Sequence, residues 1–197
     1  MRYDGEHKQR TREKVLKAAT QEIRAKGVHR VAVASVMSGA GLTHGGFYAH
    51  FSSKDDLVNA AIEKMFAESR GRFAKETENA RPAAGLSRYI DFYLSPQHRD
   101  AINTGCPIPV LVADARRLPK STREKFAGNV AHLGEVLSKH LVTLGREHPQ
   151  FEAQSVLNEL VGALSVARCE PDAAKSDAIL ESSRRALKHR LGLETQS

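Results

Sequence analysis

The sequence lacks a disulfide framework, a secretion signal and a membrane-spanning run. It contains two cysteines, Cys106 and Cys169, so few that both thiols are expected to be reduced. The first ten residues carry several charges and no apolar stretch, which predicts that there is no signal peptide. The longest apolar stretch, residues 108–113, is too short to cross a bilayer. These absences predict a cytoplasmic protein with no membrane partner.

Positive charge is concentrated at the amino-terminal end. Residues 1–54 contain ten basic and four acidic residues, a net charge of +6, while the whole chain carries +7. A basic end on an almost neutral body predicts a surface that binds a polyanion. A merely solvated basic surface is the alternative, and charge alone does not decide between the two.

The spacing of apolar residues predicts helices throughout and no strand. Thr11 is the expected N-cap of the first helix, and Gly27 is expected to end it. A serine cap at Ser52 or Ser53 predicts a long helix from Lys54. The predicted helices cover residues 11–26, 33–40, 43–51, from 54, from 82 to before 96, 107–119, 121–144, 151–168 and 173–191. We therefore predict an all-α fold with a three-helix head at 1–54 and a larger helical domain at 55–197.

The segment from Val31 to Phe51 predicts a helix-turn-helix. Gly41 suits the left-handed backbone of a tight turn between two short helices, and Leu42 can pack between them. Thr43 is the expected cap of the second helix, whose first residues would enter a DNA major groove. A helical hairpin is also a common structural element, so the residues alone leave a purely structural role open.

Several separated positions resemble the amino-terminal domain of TetR-family transcriptional regulators. They are Thr11-Arg12-Glu13, Gly27, Ala40-Gly41-Leu42-Thr43, and Phe47-Tyr48 followed by His50-Phe51 and Lys54. The run 42–48, together with Gly105-Cys106-Pro107, resembles a subgroup of multidrug-type repressors. One departure is the pair Val31 and Ala32, where a threonine or serine commonly precedes the second helix; a phosphate contact there is in doubt.

The resemblance implies contacts to double-stranded DNA that carries a near-palindromic operator. Thr43, His44, Gly45 and Gly46 would lie nearest the base edges. Phe47 and Tyr48 would brace the recognition helix and touch DNA methyl groups or backbone. Tyr48, His50 and Lys54 would hold phosphates, for which their hydrogen-bond donors are suited.

The resemblance also implies a small-molecule effector and a homodimer. Tyr89, Phe92, Tyr93 and Cys106 are the candidate ligand-binding residues, although aromatic residues at this spacing are often ordinary core. The last two helices, with leucines such as Leu160 and Leu164, would pair with those of a second copy. The alternative is that these leucines complete the monomer core.

Cys106 has two alternative roles. Its place between Gly105 and Pro107 puts it at a helix start, where the helix dipole lowers the pKa of a thiol and favours a reactive sensor. An apolar setting would raise the pKa instead and leave an inert cysteine. Cys169, near the end of a helix, is the internal comparison.

These features together predict a ligand-responsive repressor, without excluding activation. The rival functions are a small helical enzyme whose basic end binds an anionic substrate, and an architectural DNA binder that has no effector and no cavity. The triplet His98-Arg99-Asp100 is interpreted as a polar loop, and no paired catalytic groups stand out. His44 and His50 have no Cys or carboxylate partner on a common face, so no metal and no cofactor are predicted.

Overall fold

Helices account for most of the part of the chain that the structure, a computed structural model, describes. That part is residues 2–193, with side chains from Gly5 onward, and it contains no strand. No helix within these residues has the length and apolar character needed to cross a membrane. The nine α-helices are α1 (Arg2–Lys26), α2 (Val33–Gly39), α3 (Lys54–Thr77), α4 (Pro82–Tyr93), α5 (Pro96–Asp100), α6 (Ile108–Ala115), α7 (Lys120–Thr143), α8 (Pro149–Cys169) and α9 (Ala173–Arg190).

The first helix starts earlier than predicted and ends where predicted. The Thr11 hydroxyl donates to the His7 carbonyl oxygen over 2.9 Å, a bond inside the helix, so Thr11 is not its N-cap. Gln9 and Glu13, one turn apart, are also hydrogen-bonded. The charged residues before Thr11 therefore continue the helix, because side chains four residues apart support each other. Gly27, at φ 79°, ends it in a conformation that suits glycine.

The third helix of the head differs from its prediction. Instead of an α-helix over 43–51, residues His44–Ala49 form a 3-10 helix, called here the recognition segment. The Gly46 amide donates to the Thr43 carbonyl oxygen (3.1 Å), and the Thr43 side chain caps no amide within the described residues. The pair Gly45-Gly46 explains the difference, since each glycine costs roughly 1 kcal/mol in an α-helix relative to alanine.

α3 connects the head to the body. Its start agrees with the prediction, because the Ser53 hydroxyl accepts a hydrogen bond from the Asp56 amide over 3.0 Å. Its buried face includes Leu57, Ile62 and Phe66, and it packs on α1, α4 and α7. Because α3 contacts both parts, the predicted boundary at Lys54 separates elements that share one core, and it stays a prediction.

α7, α8 and α9 pack in sequence to form the body, and their leucines face inward. Leu160 and Leu164 are fully buried in the single chain, as are Leu180 and Leu187 on α9. The alternative stated above therefore applies: these leucines complete the monomer core, and the expectation that they form a dimer surface was wrong.

α5 is a short helix where a polar loop was expected. The Ser95 hydroxyl accepts from the His98 amide (3.1 Å), and Pro96 occupies the first turn, a position that suits proline. His98 is buried, while Arg99 pairs with Asp177 on α9 over 2.6 Å. The triplet is thus a structural junction between α4 and the last helices.

Candidate nucleic-acid interface and internal cavity

The turn between α2 and the recognition segment has the geometry expected of a helix-turn-helix. Gly41 has φ 72°, and the Leu42 amide donates to the Met37 carbonyl oxygen over 2.9 Å. Leu42 is half-buried and packs against the head core, as predicted. The turn therefore holds the recognition segment at a fixed angle to α2.

Three of the four predicted base-reading residues are exposed to solvent. Thr43, His44 and Gly45 are exposed, and the Tyr48 side chain is 73% exposed. Gly46 is half-buried and lies close to Met37, since a Cβ built on it would be 3.7 Å from the Met37 methyl carbon. A tyrosine this exposed gains little from the core, so its ring is free to contact a partner.

Phe47 differs from this group. Its side chain is only 2% exposed, with its ring stacked on Phe51 at 5.8 Å and edge-on to Tyr48 at 5.2 Å between centroids. The bracing role expected of Phe47 agrees with this position. The expected contact between its side chain and DNA does not, because the ring lies inside the head.

Basic side chains flank the recognition segment on both sides. Lys54 is exposed at the start of α3, and the Arg12 guanidinium lies 4.7 Å from the centroid of the Phe51 ring. Burial, with Lys8 and Arg12 nearby, lowers the pKa of His50. A neutral imidazole beside two cations is a site where a phosphate would restore the charged form. Sequence reasoning did not single out Lys8; its place one helical turn before Arg12, on one helix face, was the available signal.

At the start of α2, where the family commonly has a threonine or serine hydroxyl, this chain has Ala32. Ala32 precedes the helix, and its amide donates to the Glu22 carboxylate of α1 over 3.3 Å. Ala32 has no side-chain hydroxyl, so it cannot provide the phosphate contact that a threonine or serine provides.

All four predicted ligand-binding residues line one cavity of about 240 Å³. The rings of Tyr89 and Tyr93 are 5.8 Å apart, and Phe92 lies beside them on α4. Cys106 lines the cavity from the loop before α6. The sequence had placed these residues together only through the family resemblance, and the fold gives them a common surface.

His98 is a cavity residue that the sequence reasoning missed. Its Nδ1 lies 2.8 Å from the Tyr93 carbonyl oxygen, and its Nε2 lies 3.1 Å from the Cys106 amide nitrogen. Since an amide donates, Nε2 accepts, and Nδ1 therefore carries the proton and donates to the carbonyl. Burial lowers the pKa of His98 and agrees with this neutral form. In the sequence, Ser95 and Pro96 were the signal for the start of α5, the helix on which His98 is buried.

Cys106 is buried, and Cys169 is exposed. Burial raises the pKa of the Cys106 thiol, which reduces the thiolate fraction near neutral pH. This setting agrees with the inert alternative for Cys106 rather than with a thiol activated by the start of α6.

The first helix supplies the other wall of the cavity, which the sequence analysis did not predict. Lys17, Thr20, Gln21 and Arg24 line it from α1. Arg24 is 5% exposed and donates to Glu68 of α3 (2.9 Å) and to the Asn103 carbonyl oxygen (3.1 Å). In the sequence, Thr20 directly follows Ala19 and Arg24 directly follows Ile23, and both of these apolar residues of α1 are buried. This adjacency was the available signal that the buried face of α1 extends beyond its apolar residues.

A second contact joins the body to the head. The Asp114 carboxylate, at the end of α6, accepts from the Val28 amide over 3.3 Å. Gly27 lies against it, because a Cβ built there would be 2.7 Å from Asp114 Oδ2. α6 begins at Ile108, two residues after Cys106. A displacement of α6 at the cavity would therefore also move the end of α1, through the contact of Asp114 with Val28.

Comparisons with known proteins agree with this arrangement. Residues 15–61 match the family described as bacterial regulatory proteins, tetR family. The transcriptional regulator YfiR of Bacillus subtilis is 29% identical over 103 residues, 52% of this chain and 50% of YfiR. The regulator TtgR of Pseudomonas putida is 32% identical over 74 residues, 38% of this chain and 35% of TtgR. The matched part thus spans half or less of these curated relatives.

Solved structures resemble the chain over nearly its whole length. The reduced form of E. coli NemR superposes with a TM-score of 0.79 at 21% identity, covering 91% of this chain and 95% of NemR. A TetR transcriptional regulator from Chloroflexus aurantiacus gives a TM-score of 0.77 at 21% identity, covering 95% and 96%. At this identity the likeness shows the fold, a helical head on a larger helical domain.

Proposed function

We propose that the chain is a member of the TetR family of transcriptional regulators, whose model matches residues 15–61, and that it is a ligand-responsive repressor. It binds double-stranded operator DNA through the recognition segment and leaves it when a small molecule occupies the cavity. Because DNA is its target, it acts in the cytoplasm. The family consists of regulators and not of enzymes, which removes the alternative of a small helical enzyme.

The observation that carries the proposal is the exposed surface beyond the Gly41 turn. Thr43, His44 and Gly45 face solvent at the start of the recognition segment, where base edges are read. Gly45, where an added Cβ would meet nothing within 4 Å, allows close approach of the backbone to DNA. Since glycines offer no side chain to the bases, DNA shape contributes much of the specificity.

Phosphate contacts flank this surface. We assign them to Tyr48, His50 and Lys54, and we add Arg12 because it lies over Phe51 beside the recognition segment. These groups position the head on the backbone and carry little sequence information. The net charge of +6 on residues 1–54 supports this assignment.

The repressor acts as a homodimer. Two heads related by a two-fold axis contact two half-sites about 34–36 Å or somewhat more apart, which requires a near-palindromic operator. The interface is formed by the outward faces of α8 and α9, whose inner leucines are already buried. Gly162 and Val166 on α8 and Ala178 and Ser182 on α9 are exposed and small enough for close helix packing.

The cavity couples the effector to DNA. A ligand can bind more tightly to the conformation in which the spacing of the two heads does not match the operator half-sites. Linkage then requires that the ligand weaken DNA binding by the same factor by which DNA weakens ligand binding. Two contacts transmit the effect: Arg24 ties α1 to Glu68 on α3, and Asp114 ties α6 to Val28. The cavity also favours this function over an architectural DNA binder, for which no cavity was expected.

Footprinting on the DNA that flanks its own gene tests the function. The expected result is a protected near-palindrome whose affinity falls steeply between low and physiological salt, because bound lysines and arginines displace counterions. Affinity that does not change with salt, or protection without any repeated half-site, contradicts the proposal.

A further inference from the structure

The cavity combines two surfaces of different chemistry. The aromatic wall consists of Tyr89, Phe92 and Tyr93 on α4, and the basic rim consists of Lys17 and Arg24 on α1 with Arg72 on α3. We propose that the cavity binds a small aromatic anion, a carboxylate of one or two rings. Its ring lies against the aromatic wall, and its negative group lies at the basic rim. This inference rests on the function proposed above, because it names the effector class of the same cavity.

The size of the cavity limits the ligand. Its volume is about 240 Å³. An engineered apolar cavity of about 150 Å³ holds benzene, so this one accepts a ring with a polar substituent or a fused pair of rings. It is smaller than the roughly 300–1,000 Å³ of sites for drug-sized molecules, which favours a ligand of one or two rings over large multi-ring compounds.

The charge balance of the lining favours an anion. The basic rim carries three positive charges, and Glu68 is the single carboxylate among the described residues that line the cavity. Glu68 is already paired, to Arg24 over 2.9 Å and to Lys64 over 3.6 Å. His98 adds no charge, because its Nε2 accepts from the Cys106 amide and its Nδ1 donates to the Tyr93 carbonyl oxygen.

Arg24 provides a buried donor that its own protein partners do not use. Two of its nitrogens bind Asn103 and Glu68, while its buried Nε has no hydrogen-bond partner among residues 2–193. A buried donor without an acceptor is costly, and a side-chain movement that turns Nε toward the cavity lets a carboxylate oxygen supply the acceptor with a charge-assisted bond. Lys17 is exposed and forms no ion pair within the described part of the chain.

Arg72 is placed where both halves of such a ligand meet. Its guanidinium carbon lies 4.4 Å from the centroid of the Phe92 ring, at the border between the basic rim and the aromatic wall. Its only carboxylate neighbour within the described residues, Glu76, is 3.4 Å away, one turn later on α3. It can therefore hold a carboxylate while the ligand ring packs beside Phe92.

Tyr93 offers a second unsatisfied group, deeper in the cavity. It is 2% exposed, and its hydroxyl bonds no oxygen or nitrogen among the residues that the structure describes; its polar neighbour is the Cys106 thiol, a weak acceptor. Burial raises the pKa of Tyr93 well above its ordinary value, so the hydroxyl keeps its proton and donates. A ligand acceptor at this end completes the bond.

Calorimetric titration of the full chain without DNA tests the ligand class. The probes are benzoate, 4-hydroxybenzoate, 1-naphthoate and 2-naphthoate, each compared with its own carboxamide, which has the same shape and no charge. We expect one or more carboxylates to bind, each about tenfold or more tightly than its carboxamide, because the bond to an ionised acceptor is stronger. A panel in which no carboxylate binds below about 1 mM, or in which the carboxamides bind equally well, overturns the inference.

Paired variants assign the binding to the cavity. The double change Lys17→Gln with Arg72→Gln is expected to weaken carboxylate binding about tenfold and to leave carboxamide binding within about twofold. The matched control is Lys14→Gln with Lys75→Gln, which removes the same charge from exposed positions of the same two helices outside the cavity. Equal loss in both double variants contradicts the assignment, because it indicates a general effect of charge.

Tyr93→Phe separates binding from structure. Removing a hydroxyl whose only polar neighbour is a weak acceptor is expected to leave the melting temperature unchanged or raised, and to weaken carboxylate binding about threefold to tenfold, the value of one hydrogen bond. Unchanged carboxylate binding in Tyr93→Phe contradicts the role assigned to the hydroxyl.

Operator binding without ligand, measured on the same samples, separates this inference from the proposed function. A chain that binds operator but no carboxylate retains the function and rejects the inference. A chain that binds carboxylates but no operator rejects the function.

Discussion

The two halves of α1 use similar residues in opposite environments. In the first half, Lys8 and Arg12 lie beside His50 at the surface next to the recognition segment. In the second half, Lys17 and Arg24 line the cavity, and Arg24 is 5% exposed. The positive charge of the amino-terminal end is therefore not one surface. Part of it is placed to bind phosphates, and part of it ties the helix to the body.

The largest expected difference between the two halves is in stability. Arg24→Ala removes hydrogen bonds to Glu68 and Asn103, and we expect it to lower the free energy of unfolding by about 2–3 kcal/mol, the range for buried charged hydrogen bonds. Arg12→Ala at the surface is expected to cost less than about 1 kcal/mol. Urea denaturation measures both. Equal losses would show that the two halves of α1 are not distinct.

The two cysteines repeat the contrast between buried and exposed copies of one residue. Cys106 is buried with a raised pKa, and Cys169 is exposed. In chain diluted to the monomer, so that a second copy does not cover the outward face of α8, we expect Cys169 to react with iodoacetamide about tenfold or more faster than Cys106, because access and thiolate fraction control the rate. Mass spectrometry of the labelled chain measures the two rates, with Cys169→Ser as the control. A fast reaction at Cys106 would restore the sensor role that its position before α6 first indicated.

The next expected difference is in DNA binding. Arg12→Ala is expected to weaken operator binding about fivefold to tenfold and to reduce the slope of log affinity against log salt by about 0.9, the value for one phosphate contact. Lys17→Ala removes the same charge about one and a half turns later and is expected to leave that slope unchanged. Fluorescence anisotropy at several salt concentrations distinguishes the two. A slope that falls equally in both variants would place the whole of α1 on DNA.

The smallest expected effect concerns pH. Burial and the nearby Lys8 and Arg12 lower the pKa of His50, so its ring is neutral in the free protein at neutral pH. A DNA phosphate favours the charged ring and raises that pKa, so binding takes up a proton and affinity rises as pH falls. We expect a gain of about threefold between about pH 7.5 and 6, and a smaller gain in His50→Gln.

His132→Gln, at an exposed position on α7, is the control for this titration and is expected to behave like the unmodified chain. An identical pH profile in His50→Gln and His132→Gln would show that His50 does not meet phosphate.

Local signals predicted most of the secondary structure. Gly27, Ser53 and Pro82 mark helix ends and starts that the structure confirms, because capping and φ restriction act over a few residues. The all-α fold is likewise confirmed, and residues 15–61 match the tetR family model, whereas the multidrug-repressor subgroup stays a prediction. The recognition segment was mispredicted as an α-helix, even though Gly45 and Gly46 already argued against one.

Other errors arose from interactions across the chain. Leu160 and Leu164 have the spacing of an apolar face, but spacing does not tell whether a neighbouring helix or a second copy covers that face. The same limit applies to Phe47, whose ring is buried among residues of its own head. His98 appeared polar and exposed, yet the Tyr93 carbonyl oxygen and the Cys106 amide bind both of its ring nitrogens.

By itself, the sequence determined the helices, the basic amino-terminal end and the Gly41 turn, since these depend on backbone preferences and on composition. Only the tertiary structure decided which basic residues of α1 face solvent and which face the cavity. It also decided that Arg24 and the Tyr93 hydroxyl keep unused donors beside an aromatic wall. The physical reason is that burial and hydrogen-bond satisfaction depend on α1, α3, α4 and the loop before α6 together, and their residues lie up to about ninety positions apart in the chain.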